Sequence, residues 1–82
     1  MHSLHSITRS CALSVVIPVY NEEAGLDALV ARVTAAAAAI FGDEFELLLV
    51  NDGSKDGSWA KICQHAEADA RIVAIDLARN HG

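Results

Sequence analysis

Three short apolar segments, each followed by a polar turn, limit this chain to few folds. They are "LSVVIPVY" at 13–20, "FELLLVN" at 45–51 and "RIVAIDL" at 71–77. Each has the length and the branched residues of a buried strand, and segments of helical periodicity separate them. The order strand, helix, strand, helix, strand predicts an α/β fold, a three-stranded parallel βαβαβ unit with right-handed crossovers.

The first predicted helix follows Asn21, a preferred N-cap residue, and has Glu22 and Glu23 in its first turn, where the helix dipole favours negative charge. Apolar residues then recur at spacings of three and four, which predicts one buried stripe. The stripe consists of Leu26, Leu29, Val30, Val33, Ala37 and Ile40. Gly42 is the expected C-terminal stop.

A second helix is predicted at about 57 to 70, with Ser54 or Asp56 as its cap. Its expected inner stripe is Trp59, Ile62, Cys63 and Ala66. The first strand is apolar on both faces, which predicts that it is covered on both sides. Pro18 has no N–H to donate, so regular strand pairing is expected to fade there.

Charge and composition exclude several classes of protein. Eleven acidic residues against six basic ones, among 82, argue against a nucleic-acid surface or an anionic membrane as the main partner. No apolar run reaches the ~18 residues of a membrane helix. Cys11, Cys63 and the four histidines have no metal-ligand spacing, and two free thiols favour a reducing cytoplasm. Residues 1–12 are interpreted as a flexible tail.

Polar residues follow each predicted strand, where ligands bind in open parallel sheets. The first turn contains Tyr20, Glu22 and Glu23 but no glycine. Because its carboxylates would repel a phosphate, a dinucleotide fold and a phosphate-loop nucleotidase are excluded. Tyr20 and Glu22 suit a neutral part of a ligand, such as a ribose or a base. The alternative for Glu22 is that it only complements the helix dipole.

The second turn, "NDGSKDGS", has the first half of a calcium-loop pattern. Its twelfth position is Cys63 instead of a bidentate Glu, and a strand precedes it, so we reject a calcium site. Asp52 at the strand tip is suited to accept the ring N–H of a uracil or guanine, with a simple turn residue as the alternative. Asp56 is predicted to be a helix cap or turn former.

Together, "SVVIPVYNEE", "LLLVNDGSKDGS" and "RIVAIDLARNHG" resemble the start of the family 2 glycosyltransferases. The similarity is greatest to the branch that transfers sugars to polyprenyl phosphates, typified by dolichol-phosphate mannose synthase. It covers residues 13–82, which would be the N-terminal, nucleotide-binding half of a Rossmann-like GT-A fold, truncated at its C-terminal end. His81 stands where an aromatic residue is commoner in this branch.

The resemblance implies a binding site for a UDP- or GDP-linked sugar. Pro18, Tyr20 and Glu22 would line the nucleoside pocket, Val50 and Asp52 would face the base, and Arg79 would approach the diphosphate. The resemblance also implies Mg²⁺ or Mn²⁺ in the full-length enzyme, held by an Asp-x-Asp motif on a later strand. Asp76 does not match that motif. We therefore expect no metal ligands and no catalytic residues in this chain.

In such an enzyme the acceptor attacks the anomeric carbon in line and inverts it. A polyprenyl-phosphate acceptor is already ionised near neutral pH and needs no strong base. The chain by itself is expected to bind the donor without transferring sugar. It is expected in the cytoplasm, with the cytoplasmic face of the membrane as the place of a longer parent protein.

Two alternatives remain open. The chain could be a non-catalytic remnant that binds a nucleotide or a partner protein, or an unrelated βαβ module with a structural role. A natural stop after Gly82 would favour the remnant. Failure of UDP and GDP to affect Asp52 and Tyr20 would favour the structural module.

Overall fold

The computed structural model describes residues 12–77; residues 1–11, which make up nearly all of the predicted tail, and residues 78–82, which include Arg79, lie outside that range. The predicted order of strands and helices is confirmed. The elements are β1 (Leu13–Val19), α1 (Leu26–Phe41), β2 (Phe45–Asn51), α2 (Ser58–Ala68) and β3 (Ile72–Asp76). None of the helices among residues 12–77 has the length and apolar character needed to cross a membrane.

The three strands form one parallel sheet in the order β1-β2-β3. Val19 pairs with Asn51, and Asn51 pairs with Asp76. The C-terminal ends of all three strands are therefore aligned along one side of the sheet, which we call the carboxyl edge. The loops that follow β1 and β2 leave the sheet side by side at this edge.

Both helices cover the same face of the sheet, where a single core forms. The buried members of that core are Val19, Leu26, Val30, Leu47, Leu49, Ile62 and Ile72. Consecutive right-handed crossovers between neighbouring strands place both helices on one side. Burial of these apolar side chains is the main stabilising contribution to the fold.

The other face of the sheet, which we call the open face, is not covered by residues 12–77. Val16 on β1 is 62% exposed and Val73 on β3 is 36% exposed. The prediction that β1 is covered on both sides is therefore wrong within the described residues. The apolar character of both faces does not reveal which face the helices cover.

The predicted start of α1 is wrong. The helix begins at Leu26 with Gly25 as its N-cap and without a side-chain cap, and its first-turn acid is Asp27. Asn21 has a φ of 51°, in the left-handed region that asparagine tolerates better than most residues. Its side-chain oxygen accepts the Lys55 backbone N–H at 2.8 Å, so it supports a neighbouring loop instead of a helix end.

The predicted end of α1 is confirmed. Gly42 follows the helix with a φ of 61°, and its N–H donates to the Ala38 carbonyl at 2.9 Å. Among the predicted inner residues, Leu26, Val30 and Ala37 are buried, whereas Ile40 is 76% exposed. Ile40 lies in the last turn of the helix, where its side chain stays outside the core.

Strand pairing does not fade at Pro18, contrary to the prediction. Pro18 is in register with Val50, and beyond it the Val19 carbonyl still accepts the Asp52 N–H at 2.9 Å. Backbone groups of successive strand residues point to opposite sides, so the Pro18 nitrogen faces away from β2. Because β1 is an edge strand, the missing donor interrupts no bond to β2.

The second helix is slightly shorter than predicted, at Ser58–Ala68 with Gly57 as N-cap. Ile62 is fully buried, and Trp59 and Ala66 pack against the core as expected. Cys63 is half-buried and free. The inner stripe of this helix was therefore predictable from its apolar spacing.

Ion pairs join the elements away from the carboxyl edge. Asp27 on α1 contacts the Lys61 ammonium and the His65 ring nitrogen on α2, both at 2.8 Å. At the start of β3, the Arg71 guanidinium binds Asp69 at 2.9 Å and lies 4.6 Å from the centroid of the Phe45 ring. These contacts stabilise the two ends of the helical layer.

Candidate functional site

Two loops form the carboxyl edge. The first edge loop is residues 20–25, between β1 and α1, and the second edge loop is residues 52–57, between β2 and α2. They are adjacent because Val19 and Asn51, the last residues of β1 and β2, are paired. They contain Tyr20, Glu22 and Asp52, three of the six residues predicted to bind a ligand, and Pro18 and Val50 precede them near the ends of β1 and β2.

Backbone amides of the first edge loop donate to side chains of the second loop and of α2. The Asn21 N–H donates to Ser54 Oγ at 2.9 Å, and the Glu22 N–H donates to Ser58 Oγ at 2.8 Å. The Glu23 N–H donates to Asp56 Oδ2 at 3.3 Å. The path of the first loop is thus fixed by side chains more than 30 residues away in sequence.

The reverse bonds run from the second edge loop to the first. The Lys55 N–H donates to Asn21 Oδ1 at 2.8 Å, and the Gly57 N–H donates to Glu23 Oε1 at 2.9 Å. A Cβ at Gly57 would lie 2.5 Å from Glu23 Oε2, so any other residue here would displace the Glu23 carboxylate from its bond to the Gly57 N–H. Gly53 has a φ of 79°, which gives the same loop its left-handed turn.

The end of β3 joins the same network through Asn51. This side chain is only 3% exposed; its Nδ2 donates to Asp76 Oδ1 at 3.0 Å, and its Oδ1 accepts the Ser54 N–H at 3.2 Å. All three strand ends therefore meet at one edge, as predicted. Residues 78–82 lie outside the described chain, so the part assigned to Arg79 stays a prediction.

Asp56 forms the turn that precedes α2, which confirms the prediction of a turn former, whereas the N-cap of the helix is Gly57 and not Asp56 or Ser54. Its Oδ1 accepts the Ser58 N–H at 2.9 Å and the Ser58 hydroxyl at 2.6 Å. The hydrogen bond from the Ser58 side chain lowers the pKa of Asp56 below its ordinary value of 3.8. A carboxylate with these donors resembles a structural cap more than a free metal ligand.

The remaining polar side chains of this edge have no such role. Tyr20, Glu22 and Asp52 are exposed, Tyr20 by 56%. Within residues 12–77, no hydrogen bond or ion pair engages the Tyr20 hydroxyl or the two carboxylates. Together with the exposed Lys55 side chain, they are the polar groups of this edge within residues 12–77 that remain free for a ligand.

Strand alternation places the two predicted apolar contacts on the open face. Pro18 and Val50 are register partners, and each alternates with a buried neighbour, Val19 and Leu49. Asp52 continues the alternation of Val50 one step past the strand. The structure thus brings Pro18, Tyr20, Glu22, Val50 and Asp52 to one edge, whereas their contact with a ligand stays a prediction.

Sequence analysis missed the residues that connect the two edge loops. They are Asn21, Glu23, Ser54 and Ser58, whose bonds join residues about 33 to 36 positions apart, and Asn51 adds the end of β3 to the same network. No periodicity marks such pairs. These residues could have been suspected from the many Asn, Ser and Asp residues that follow two neighbouring strands. Such side chains readily form hydrogen bonds to nearby backbone groups.

Comparison with known proteins gives a consistent result. Residues 14–82 match the family model described as glycosyl transferase family 2. The chain is 51% identical over 72 residues to an undecaprenyl-phosphate 4-deoxy-4-formamido-L-arabinose transferase of Shewanella sediminis. It is 48% identical over 71 residues to the protein of the same name from Klebsiella pneumoniae.

These matches cover 85% of this chain but only 21% of each relative. The chain therefore spans about one fifth of the length of the curated relatives it matches. The residues matched by the family model, 14–82, contain both edge loops and all of the three strands except Leu13.

Proposed function

The chain belongs to glycosyltransferase family 2, and from that premise we propose that it forms the nucleotide-sugar-binding part of an inverting glycosyltransferase. The donor would be a UDP- or GDP-linked sugar. The acceptor would be a polyprenyl phosphate, which is supported by the names of the two relatives, both undecaprenyl-phosphate sugar transferases.

One observation carries this proposal: the polar side chains of the carboxyl edge divide into two sets. Asn21, Glu23, Ser54, Asp56 and Ser58 bond to backbone or to each other and hold the loops. A second set, Tyr20, Glu22 and Asp52, makes no such bonds and is exposed. Rigid loops that present free polar groups are the arrangement that a ligand site requires.

The free set suits a nucleoside. The Asp52 carboxylate would accept the ring N–H of uracil or guanine, because a carboxylate oxygen accepts hydrogen bonds from the N–H groups of a base. Tyr20 and Glu22 would bond to the ribose or the base from the other loop. Pro18 and Val50 would pack against the apolar parts of the nucleoside.

A divalent metal is part of the proposal for the longer enzyme, where it would neutralise the diphosphate. Within residues 12–77, no group of three His, Cys, Asp or Glu side chains is placed to hold a metal ion. No step at a metal is therefore assigned to these residues. Their proposed contribution is to bind and orient the nucleoside.

The experiment is an NMR titration of the purified protein with UDP and with GDP. Amide signals of Tyr20, Glu22 and Asp52 should shift on binding, and those of Asp43 and Arg71 at the opposite edge of the sheet should not. Shifts confined to the opposite edge, or none with either nucleotide, would contradict the proposal.

A further inference from the structure

The second edge loop has the composition of a phosphate-binding loop but not its free amides. Its Gly, Ser and Lys residues invite comparison with loops that hold phosphates through backbone N–H groups. Five N–H groups of residues 52–58 already have acceptors within the protein. They belong to Asp52, Ser54, Lys55, Gly57 and Ser58.

The acceptors of these amides are mostly side chains of the same edge. Asn51, Asn21, Glu23 and Asp56 each accept one of them at 2.8–3.2 Å. The carboxylates of Glu23 and Asp56 thus occupy the start of α2, the place where an anion would otherwise bind a helix N-terminus. A phosphate beside this loop cannot be held by these backbone donors, so a contact from this loop to a phosphate has to come from a side-chain cation, in addition to the metal proposed for the longer enzyme.

Lys55 is the cation that the loop itself supplies. Its backbone is fixed by the 2.8 Å bond to Asn21, and its side chain is exposed with no hydrogen bond or ion pair to residues 12–77. The other lysine of the described chain, Lys61, is paired with Asp27, and Arg71 is paired with Asp69. Arg32 is exposed but lies six residues into α1, ~9 Å along the helix from its start.

Electrostatics requires a cation at this edge if the ligand carries phosphates. The two edge loops carry four carboxylates, Glu22, Glu23, Asp52 and Asp56, against the single ammonium of Lys55. A nucleoside diphosphate would add further negative charge beside them. A lysine is a compact charge on a flexible stem, so Lys55 can follow a phosphate while its backbone stays in place.

We propose that the Lys55 ammonium contacts a phosphate group of the bound nucleotide, next to the base contact at Asp52. This assignment rests on the proposed function, because it takes the ligand to be a nucleoside diphosphate. It makes Lys55 a residue that distinguishes a nucleotide from its nucleoside. Asp52 would then contact the base of the ligand and Lys55 would contact one of its phosphates, both from the second edge loop.

The test compares nucleotide and nucleoside affinity in matched variants. Lys55→Gln should weaken binding of UDP or GDP about fivefold to twentyfold, in the range of a charged hydrogen bond that is partly exposed. Binding of uridine or guanosine should change less than about twofold. Lys55→Arg should retain most of the nucleotide affinity because it keeps the charge. Arg32→Gln removes the same charge elsewhere and should leave both affinities unchanged.

Each result decides between the possibilities. Three results would overturn the role of Lys55 alone. Lys55→Gln could weaken nucleotide and nucleoside binding equally, it could weaken nucleotide binding no more than Arg32→Gln does, or it could leave nucleotide binding unchanged. If the unsubstituted protein binds neither UDP nor GDP, the proposed function itself fails, and the role of Lys55 fails with it. Unfolding curves of the variants should coincide with that of the parent, since the Lys55 and Arg32 side chains are exposed and have no hydrogen bond or ion pair to residues 12–77.

Discussion

The hydroxyl of Ser58 accepts the backbone N–H of Glu22 at 2.8 Å, and Ser58 is completely buried. This bond joins the first residue of α2 to the loop that follows β1. The same hydroxyl donates to Asp56 Oδ1 at 2.6 Å, so both its donor and an acceptor position are used. The position of Glu22 in the candidate site therefore depends on the first residue of α2.

Replacing Ser58 with Ala should lower the free energy of unfolding by about 1–3 kcal/mol, because the Glu22 N–H and the Asp56 carboxylate both lose a partner. Ser14→Ala is the matched control, since the Ser14 hydroxyl bonds to Glu46 at 2.6 Å on the exposed surface. That change should cost less than ~0.5 kcal/mol. Urea denaturation measures both, and equal costs would contradict the structural role of Ser58.

Replacing Gly57 with Ala should also destabilise the protein, through one specific carboxylate. The new Cβ would lie 2.5 Å from Glu23 Oε2 and displace the group that accepts the Gly57 N–H. Gly25→Ala is the control, because its Cβ would meet Glu22 Oε1 at an ordinary 3.7 Å. If the clash is with Glu23, Gly57→Ala should lower the free energy of unfolding much less in a protein that already carries Glu23→Ala. Additive effects in thermal unfolding would refute this cause.

Asn51→Asp should destabilise the fold at neutral pH, although the two side chains have nearly the same shape. The change removes the Nδ2 donor and places a second carboxylate 3.0 Å from Asp76. The lost bond corresponds to about 1–3 kcal/mol. Asp76→Asn in the same protein should restore part of the loss by removing the repulsion. Failure of the double variant to recover stability would show that the Asn51–Asp76 contact is not the cause.

The contacts of Asp27 on α1 with Lys61 and His65 on α2 predict that the protein loses stability as the pH falls. Hydrogen bonds from Lys61 and then His65 lower the pKa of Asp27 below its ordinary value of 3.8. A carboxyl whose pKa is lower in the folded state stabilises the protein above pH 3.8, and this contribution disappears as the pH falls through the folded value. Asp27→Asn should therefore reduce stability at neutral pH and flatten its decline below about pH 4. If chemical denaturation shows that the free energy of unfolding of Asp27→Asn falls below about pH 4 as steeply as that of the parent, this role of Asp27 is contradicted.

Sequence patterns predicted the strands, their order and the position of the ligand edge because these follow from apolar periodicity and strand polarity. "FELLLVN" matches β2 residue for residue. The pattern could not show which face of the sheet the helices cover, since β1 is apolar on both sides. That face is determined by the crossovers between strands, which involve the whole chain.

The start of α1 was predicted wrongly for a physical reason. Asn21 has the right chemistry for an N-cap, and two acids follow it, yet its side chain is used by the Lys55 N–H. The preference of asparagine for helix caps and its preference for left-handed turns come from the same short polar side chain. Whether Asn21 caps the helix or forms a left-handed turn is decided by its contacts with the other loop, which the local sequence does not show.

The division of the carboxyl edge into holding residues and free ligand residues is tested most directly by two aspartates of one loop. Asp52→Ala and Asp56→Ala should each be measured for UDP and GDP affinity and for unfolding free energy. We predict that Asp52→Ala weakens nucleotide binding about tenfold or more and leaves stability unchanged, whereas Asp56→Ala lowers stability and weakens binding far less. Equal losses of affinity in the two variants, or a stability loss confined to Asp52→Ala, would contradict the assignment.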